Sequence, residues 1–167
     1  MIVEFTEKEI QDKIKQIADF INQKQHNKPP VFICVLNGAF MFFTDLVKQI
    51  GKCEIDFIRA KSYEGTIQSE IKITKSCELE LIDRDIYLVD DIYDSGNTVK
   101  ALIKHLSNEK ANSITPITLF KKWHSNHPEL IYGFELTDEH WLIGYGLDAS
   151  DGTQRNLTYI KGIQPGD

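Results

Sequence analysis

The chain is poor in the features that mark several broad classes of protein. Its three cysteines, Cys34, Cys53 and Cys77, show no paired spacing. That argues against a disulfide-stapled scaffold and predicts a reducing, cytoplasmic setting. The five histidines form no zinc pattern with them. No apolar run approaches the roughly 20 residues of a membrane span, and Met1-Ile2-Val3-Glu4-Phe5 is too short and acidic to read as a signal peptide. Positive charge is scarce: 19 Lys and Arg stand against 25 Asp and Glu, for a net charge of −6. Nonspecific nucleic-acid binding, which needs a basic face, is disfavoured.

What remains is an ordinary globular composition, 41% hydrophobic and 26% charged over 167 residues, enough for one domain with a substantial core. Its centre is Ile86 to Thr98. The stretch opens as an apolar strand, Ile86-Tyr87-Leu88-Val89. Three acids follow within five positions, Asp90, Asp91 and Asp94, and then Ser95-Gly96-Asn97-Thr98. Val99, Leu102, Ile103 and Leu106 then mark one face of a helix. A strand, an acidic corner, a small-residue loop and a helix are how an open α/β sheet presents a ligand site. Backbone amides at such a helix start attract phosphate, while paired carboxylates suit sugar hydroxyls or metal-bound water. The pattern therefore wants a ligand carrying both phosphate and sugar. It is neither a Walker loop nor a Gly-x-Gly-x-x-Gly turn.

Val89-Asp90-Asp91-Ile92-Tyr93-Asp94-Ser95-Gly96-Asn97-Thr98 resembles the phosphoribosyl-pyrophosphate (PRPP) motif of type I phosphoribosyltransferases. Asn97 stands where that motif often has lysine. Leu36-Asn37-Gly38 resembles the family's pyrophosphate loop, with Asn37 in place of the usual cation, and the resemblance implies a cis peptide at Leu36-Asn37. Lys61-Ser62-Tyr63 resembles the start of a catalytic lid, with Ile71 to Thr74 as its return strand. Trp141-Leu142-Ile143-Gly144-Tyr145-Gly146-Leu147-Asp148 resembles the base-binding run of the hypoxanthine-guanine group. Arg155 aligns with a pyrophosphate-binding arginine after allowing one extra residue.

The resemblance implies an α/β fold: a mainly parallel central sheet flanked by helices, with a small hood from the N- and C-terminal segments. Residues 28–122 would form the core, and 1–27 and 123–167 the hood. It further implies transfer of the phosphoribosyl group from PRPP to hypoxanthine, with or without guanine, and Mg²⁺ as cofactor. Asp94, Ser62 and Tyr63 would be catalytic. Asp90, Asp91, Asp94 and Ser95 to Thr98 would hold the ribose phosphate, and Leu36, Asn37, Gly38 and Arg155 the pyrophosphate. Lys121, Trp141, Leu142 and Asp148 would hold the purine, and Asp148, Asp90 and Asp91 the metal. A homodimer or homotetramer is implied, with neither nucleic acid nor membrane as partner. A transferase preferring xanthine, and a non-catalytic nucleotide- or RNA-binding regulator on the same fold, stay open as alternatives.

Other segments read as scaffold. Thr6-Glu7-Lys8-Glu9 is a capping box, followed by a helical stripe of Ile10, Ile14, Ile17 and Ile21. Val31 to Leu36 reads as a buried parallel strand. Cys53 to Ala60 alternates as a half-buried strand does, with Ile55 and Phe57 on one side and Glu54 and Asp56 on the other. Pro116 predicts an irregular or edge position in the strand from Ser113 to Phe120. His124 and His127 lack metal-binding company and read as surface residues.

Overall fold

The computed structural model describes residues 2–63, 70–137 and 140–163, with side chains for 4–61, 71–137 and 140–163. The elements run β1 (Ile2–Phe5), α1 (Glu7–Asn22), β2 (Val31–Leu36), α2 (Phe40–Val47), β3 (Glu54–Tyr63) and β4 (Glu70–Lys75). They continue with β5 (Asp85–Tyr93), α3 (Asn97–Ser107), β6 (Ser113–Lys122), β7 (Ile131–Leu136), β8 (Trp141–Ile143) and β9 (Ile160–Ile163). Six strands form the main sheet in the order β4-β3-β2-β5-β6-β7. All its pairings are parallel except β3 with β4. A separate antiparallel sheet joins β1, β9 and β8. This small hood brings the N- and C-terminal segments together, whereas α1 packs on α2 and β7 beside the main sheet.

The local chemistry explains these elements. Thr6 and Glu9 close the capping box reciprocally, and Ile10, Ile14, Ile17 and Ile21 are buried along α1. In β2 alternate residues feed two cores: Phe32 and Cys34 join the side bearing α1 and α2, while Val31, Ile33 and Val35 face α3. Tyr87 and Val89 of β5 join the first core and Ile86 and Leu88 the second. Strands covered on both faces read as continuous apolar runs. Pro116 lies in β6 before pairing with β7 begins at Ile117, so that stretch has a neighbour on one side only.

The alternation in β3 holds for Phe57, which packs against the first core, and for exposed Glu54, but not for Ile55 and Asp56. Ile55 is 48% exposed, and Asp56 is buried. Asp56 accepts from the amides of Phe57, Glu78 and Leu79 at 2.7, 2.7 and 2.9 Å. A carboxylate meeting three donors can occupy an inward position that an unpaired one cannot. Burial pushes its pKa up, but the amides outweigh burial and hold it below the usual range. Asp56 thereby ties the chain after β4 to the sheet.

The sheet connections run left from β2 to β3 and right from β5 to β6. The carboxyl ends of β2 and β5 are therefore the switch point of the sheet, where α/β folds open a crevice.

Candidate active site

Leu36-Asn37-Gly38 leaves β2 at this switch point, and Asp90 to Thr98 leaves β5. Together with Asp148 and Arg155 they line a cleft of about 320 Å³. The Leu36-Asn37 peptide is cis, as the resemblance implies. Gly38 is demanded by contact: a Cβ built there would lie 1.8 Å from Asp91 Oδ2. Gly96 has φ +76°, a left-handed conformation suited to glycine, and caps α3 without a side-chain hydrogen bond. Ser95 Oγ accepts from the Asn97 amide at 3.3 Å. The first turn of α3 thus presents main-chain donors to the cleft, an arrangement suited to phosphate.

The run Gly144-Tyr145-Gly146 follows β8 and packs behind the Gly38 backbone that lines the cleft. All three residues have positive φ, at +95°, +50° and +100°. Tyr145 donates its hydroxyl to Asp45 of α2 at 2.6 Å, and Gln11 of α1 donates to the same oxygen at 2.7 Å. This fastening holds Gly146 so close to the pyrophosphate-like loop that a Cβ on it would lie 2.1 Å from the Gly38 carbonyl oxygen. Arg155 donates to the Gly146 carbonyl at 2.7 Å and pairs with Asp148 at 2.7 Å.

Four carboxylates, Asp90, Asp91, Asp94 and Asp148, and one guanidinium are the charged groups among the described residues of this cleft. Burial and the facing Asp91 carboxyl push the Asp90 pKa well above the usual carboxylate range. Burial raises Asp91 as well, against the Ile92 amide and Arg155, which pull it down. A polyanion entering here needs more positive charge than Arg155 supplies. Among the described residues no three metal-binding side chains cluster. Mg²⁺ suits such a place, because it takes one or two carboxylates and completes its shell with water and substrate phosphates. The donor set therefore fits the ion.

A second pocket of about 390 Å³ adjoins the first and shares Asp91, Ile92, Asp94 and Asp148 with it. Its other lining residues are Lys122, His140, Trp141, Leu142 and Leu147. Trp141 is 62% exposed, an indole face open to a planar ligand.

Lys121 is not in this pocket. It pairs with Glu135 at 2.7 Å, donates to the Ser125 carbonyl at 3.2 Å, and lies over the Tyr132 ring. Successive strand residues point to opposite faces, and Lys121 is in register with Glu135 of β7. The lysine lining the pocket is its neighbour Lys122, which sequence reasoning passed over; the period-two rule could have offered both. Also missed was His124, whose Nε2 lies 3.2 Å from Asp94 Oδ1. Ser62 and Tyr63 end β3, but their side chains and residues 64–69, where the lid is expected, lie outside the described residues. Every other predicted site residue lines one of the two cavities.

The switch-point cleft, parallel sheet and two-ended hood make up the type I phosphoribosyltransferase fold. A family model described as the phosphoribosyl transferase domain matches residues 5–150. The hypoxanthine-guanine phosphoribosyltransferase of Bacillus subtilis is 36% identical over 166 residues, covering 96% of this chain and 91% of that protein. The bifunctional TilS/HprT protein of Listeria monocytogenes is 34% identical over 166 residues, 96% of this chain, which spans only 25% of that longer relative. A solved hypoxanthine phosphoribosyltransferase structure from Staphylococcus aureus matches with a TM-score of 0.89 at 32% identity, covering 98% of this chain and 91% of that one. The chain belongs to the phosphoribosyl transferase domain family, among the hypoxanthine-guanine phosphoribosyltransferases.

Proposed function

We propose that the chain transfers the 5-phosphoribosyl group of PRPP to hypoxanthine and guanine. The products are inosine or guanosine monophosphate and pyrophosphate, and the role is purine salvage. One observation carries the reading: a polar, amide-rich cleft and an aromatic pocket meet at Asp91, Asp94 and Asp148. Donor and acceptor would be joined at that seam.

The amides and hydroxyls of Ser95 to Thr98 grip the 5′-phosphate. Asp90 and Asp91 accept the ribose hydroxyls and favour positive charge developing at the anomeric carbon. Amides of the Leu36-Asn37-Gly38 loop and Arg155 hold the pyrophosphate. Trp141 stacks on the purine and Leu142 reads its edge with backbone groups. Lys122 donates to the 6-oxo group, which selects oxopurines over adenine. Asp94 takes the N7 proton, so that the opposite ring nitrogen can attack. Ser62 and Tyr63 cover the donor and exclude water. Asp148, Asp90 and Asp91 would hold Mg²⁺, which when bound supplies Lewis-acid stabilisation of the departing pyrophosphate.

On the family resemblance we assign a homodimer or homotetramer, without nucleic acid or membrane as partner. No helix among the described residues is long and apolar enough to cross a membrane. The three free cysteines fit the cytoplasm.

The test is consumption of PRPP with Mg²⁺ and each base in turn. Hypoxanthine and guanine should turn over, and Asp94→Asn should lower kcat by about 10²–10⁴. PRPP consumption indifferent to the base supplied would refute the assignment.

A further inference from the structure

We infer that His124 is a positioning residue for Asp94, an inference that rests on the phosphoribosyl-transfer reading above. Asp94 ends the acidic corner with its side chain 63% exposed. A carboxylate in that situation rotates readily, and a proton-transfer group must point at one atom. Two contacts from the connection after β6 converge on it. His124 Nε2 stands 3.2 Å from Asp94 Oδ1, and the Ser125 hydroxyl donates to the Asp94 carbonyl oxygen. An imidazole N–H held on Oδ1 leaves the second carboxylate oxygen for the purine proton.

The connection is itself held. The Ser125 amide donates to the Lys122 carbonyl at 3.0 Å, and the Trp123 amide to the Leu136 carbonyl at 2.9 Å. Lys121 donates to the Ser125 carbonyl while paired with Glu135. The Trp123 ring packs edge-on against the His124 ring, centroids 5.4 Å apart. Lys121, displaced from the purine site, thus acts behind it: it steadies the turn that carries His124 and Ser125. In the open cleft the His124–Asp94 contact is wet and weak. With donor and base bound, water is excluded and the same contact strengthens.

The experiment is a double-mutant cycle. His124→Phe, His124→Gln, Asp94→Asn and Asp94→Asn/His124→Phe are assayed at saturating PRPP and hypoxanthine, with thermal melts to confirm folding. His124→Phe should lower kcat on the order of 10- to 100-fold. KM for PRPP should stay within about twofold, because the phosphate amides and Arg155 are untouched. His124→Gln, which keeps an N–H donor, should recover most of the loss. Adding His124→Phe to Asp94→Asn should cost little more, since both act through one carboxylate. A folded His124→Phe enzyme with parental kcat, or losses that multiply in the double variant, would overturn the inference. A parent protein without hypoxanthine-dependent turnover would overturn the reaction assignment, and this inference with it.

Discussion

The two adjacent lysines at the end of β6 provide the sharpest test of how the purine is held. Lys122 lines the pocket, and Lys121 lies on the other face, paired with Glu135. Methionine keeps most of the length of lysine and removes the ammonium. If Lys122 donates to the 6-oxo group, Lys122→Met forfeits a charge-assisted hydrogen bond worth about 1.5–3 kcal/mol. That corresponds to a loss of about 10- to 150-fold in kcat/KM for hypoxanthine. Discrimination against adenine should shrink at the same time, because the lost donor is what rejects an amino group. Lys121→Met removes an ion pair whose carboxylate is 44% exposed and can turn to water. Its cost should be about 1 kcal/mol of stability, about 2–4 °C in melting temperature, with KM for hypoxanthine within about threefold of the parent. Steady-state kinetics with each base, and thermal melts of both variants, decide the matter. A Lys121→Met enzyme with the hypoxanthine defect, beside a Lys122→Met enzyme without it, would refute the face assignment.

Three further outcomes follow from the geometry. Gly38→Ala puts a methyl 1.8 Å from Asp91 Oδ2, so the carboxylate must retreat by more than 1 Å; kcat/KM for PRPP should fall about 10²-fold, and parental kinetics would count against the close approach. Asp56→Ala strands the amides of Phe57, Glu78 and Leu79 and should cost about 2–4 kcal/mol in urea denaturation at pH 7, with Asp56→Asn costing less. Because the folded pKa of Asp56 is depressed, its contribution is present above the unfolded value near 4 and is lost as pH falls through the folded one; the parent–variant gap should close in acid. Asp90 has the opposite sign: its pKa is raised, so the fold loses stability as pH rises from the unfolded value through the folded one. Asp90→Asn should therefore raise the ligand-free melting temperature at pH 7, with no gain near pH 4, while KM for PRPP rises.

Much of this architecture was legible because it is local. The capping box, the apolar runs of β2 and β5, and the acidic corner each lie within about a dozen consecutive residues, where periodicity and turn chemistry speak directly. The lysine that lines the second pocket was not legible. Choosing between Lys121 and Lys122 requires the phase of the strand, and that phase is visible only once β7 sets Glu135 beside Lys121. Asp56 misled for a related reason: an acid reads as outward until the amides of Glu78 and Leu79, 22 and 23 residues away, arrive to receive it. His124 and Asp94 are 30 residues apart, and nothing in either segment announces the other.

The acidity of the cleft accounts for why those distant contacts matter. Where the resembling motifs carry cations, this chain has Asn37 and Asn97, and Arg155 faces four carboxylates. Arg155 is also committed, to Asp148 and to the Gly146 carbonyl. On the proposed function, an anionic donor would be met by groups that carry no formal charge, the amides of the Leu36 loop and of the first turn of α3, together with a divalent ion that the acids would attract. Amides bind only where they are aimed. The backbone here is closely set: three consecutive positive-φ residues are fastened through Tyr145 to Asp45, and neither Gly38 nor Gly146 has room for a Cβ. If PRPP binds as proposed, precision of the backbone would take over work that lysines do with charge, so substitutions that shift these loops should harm PRPP binding more than changes to the surrounding surface charge.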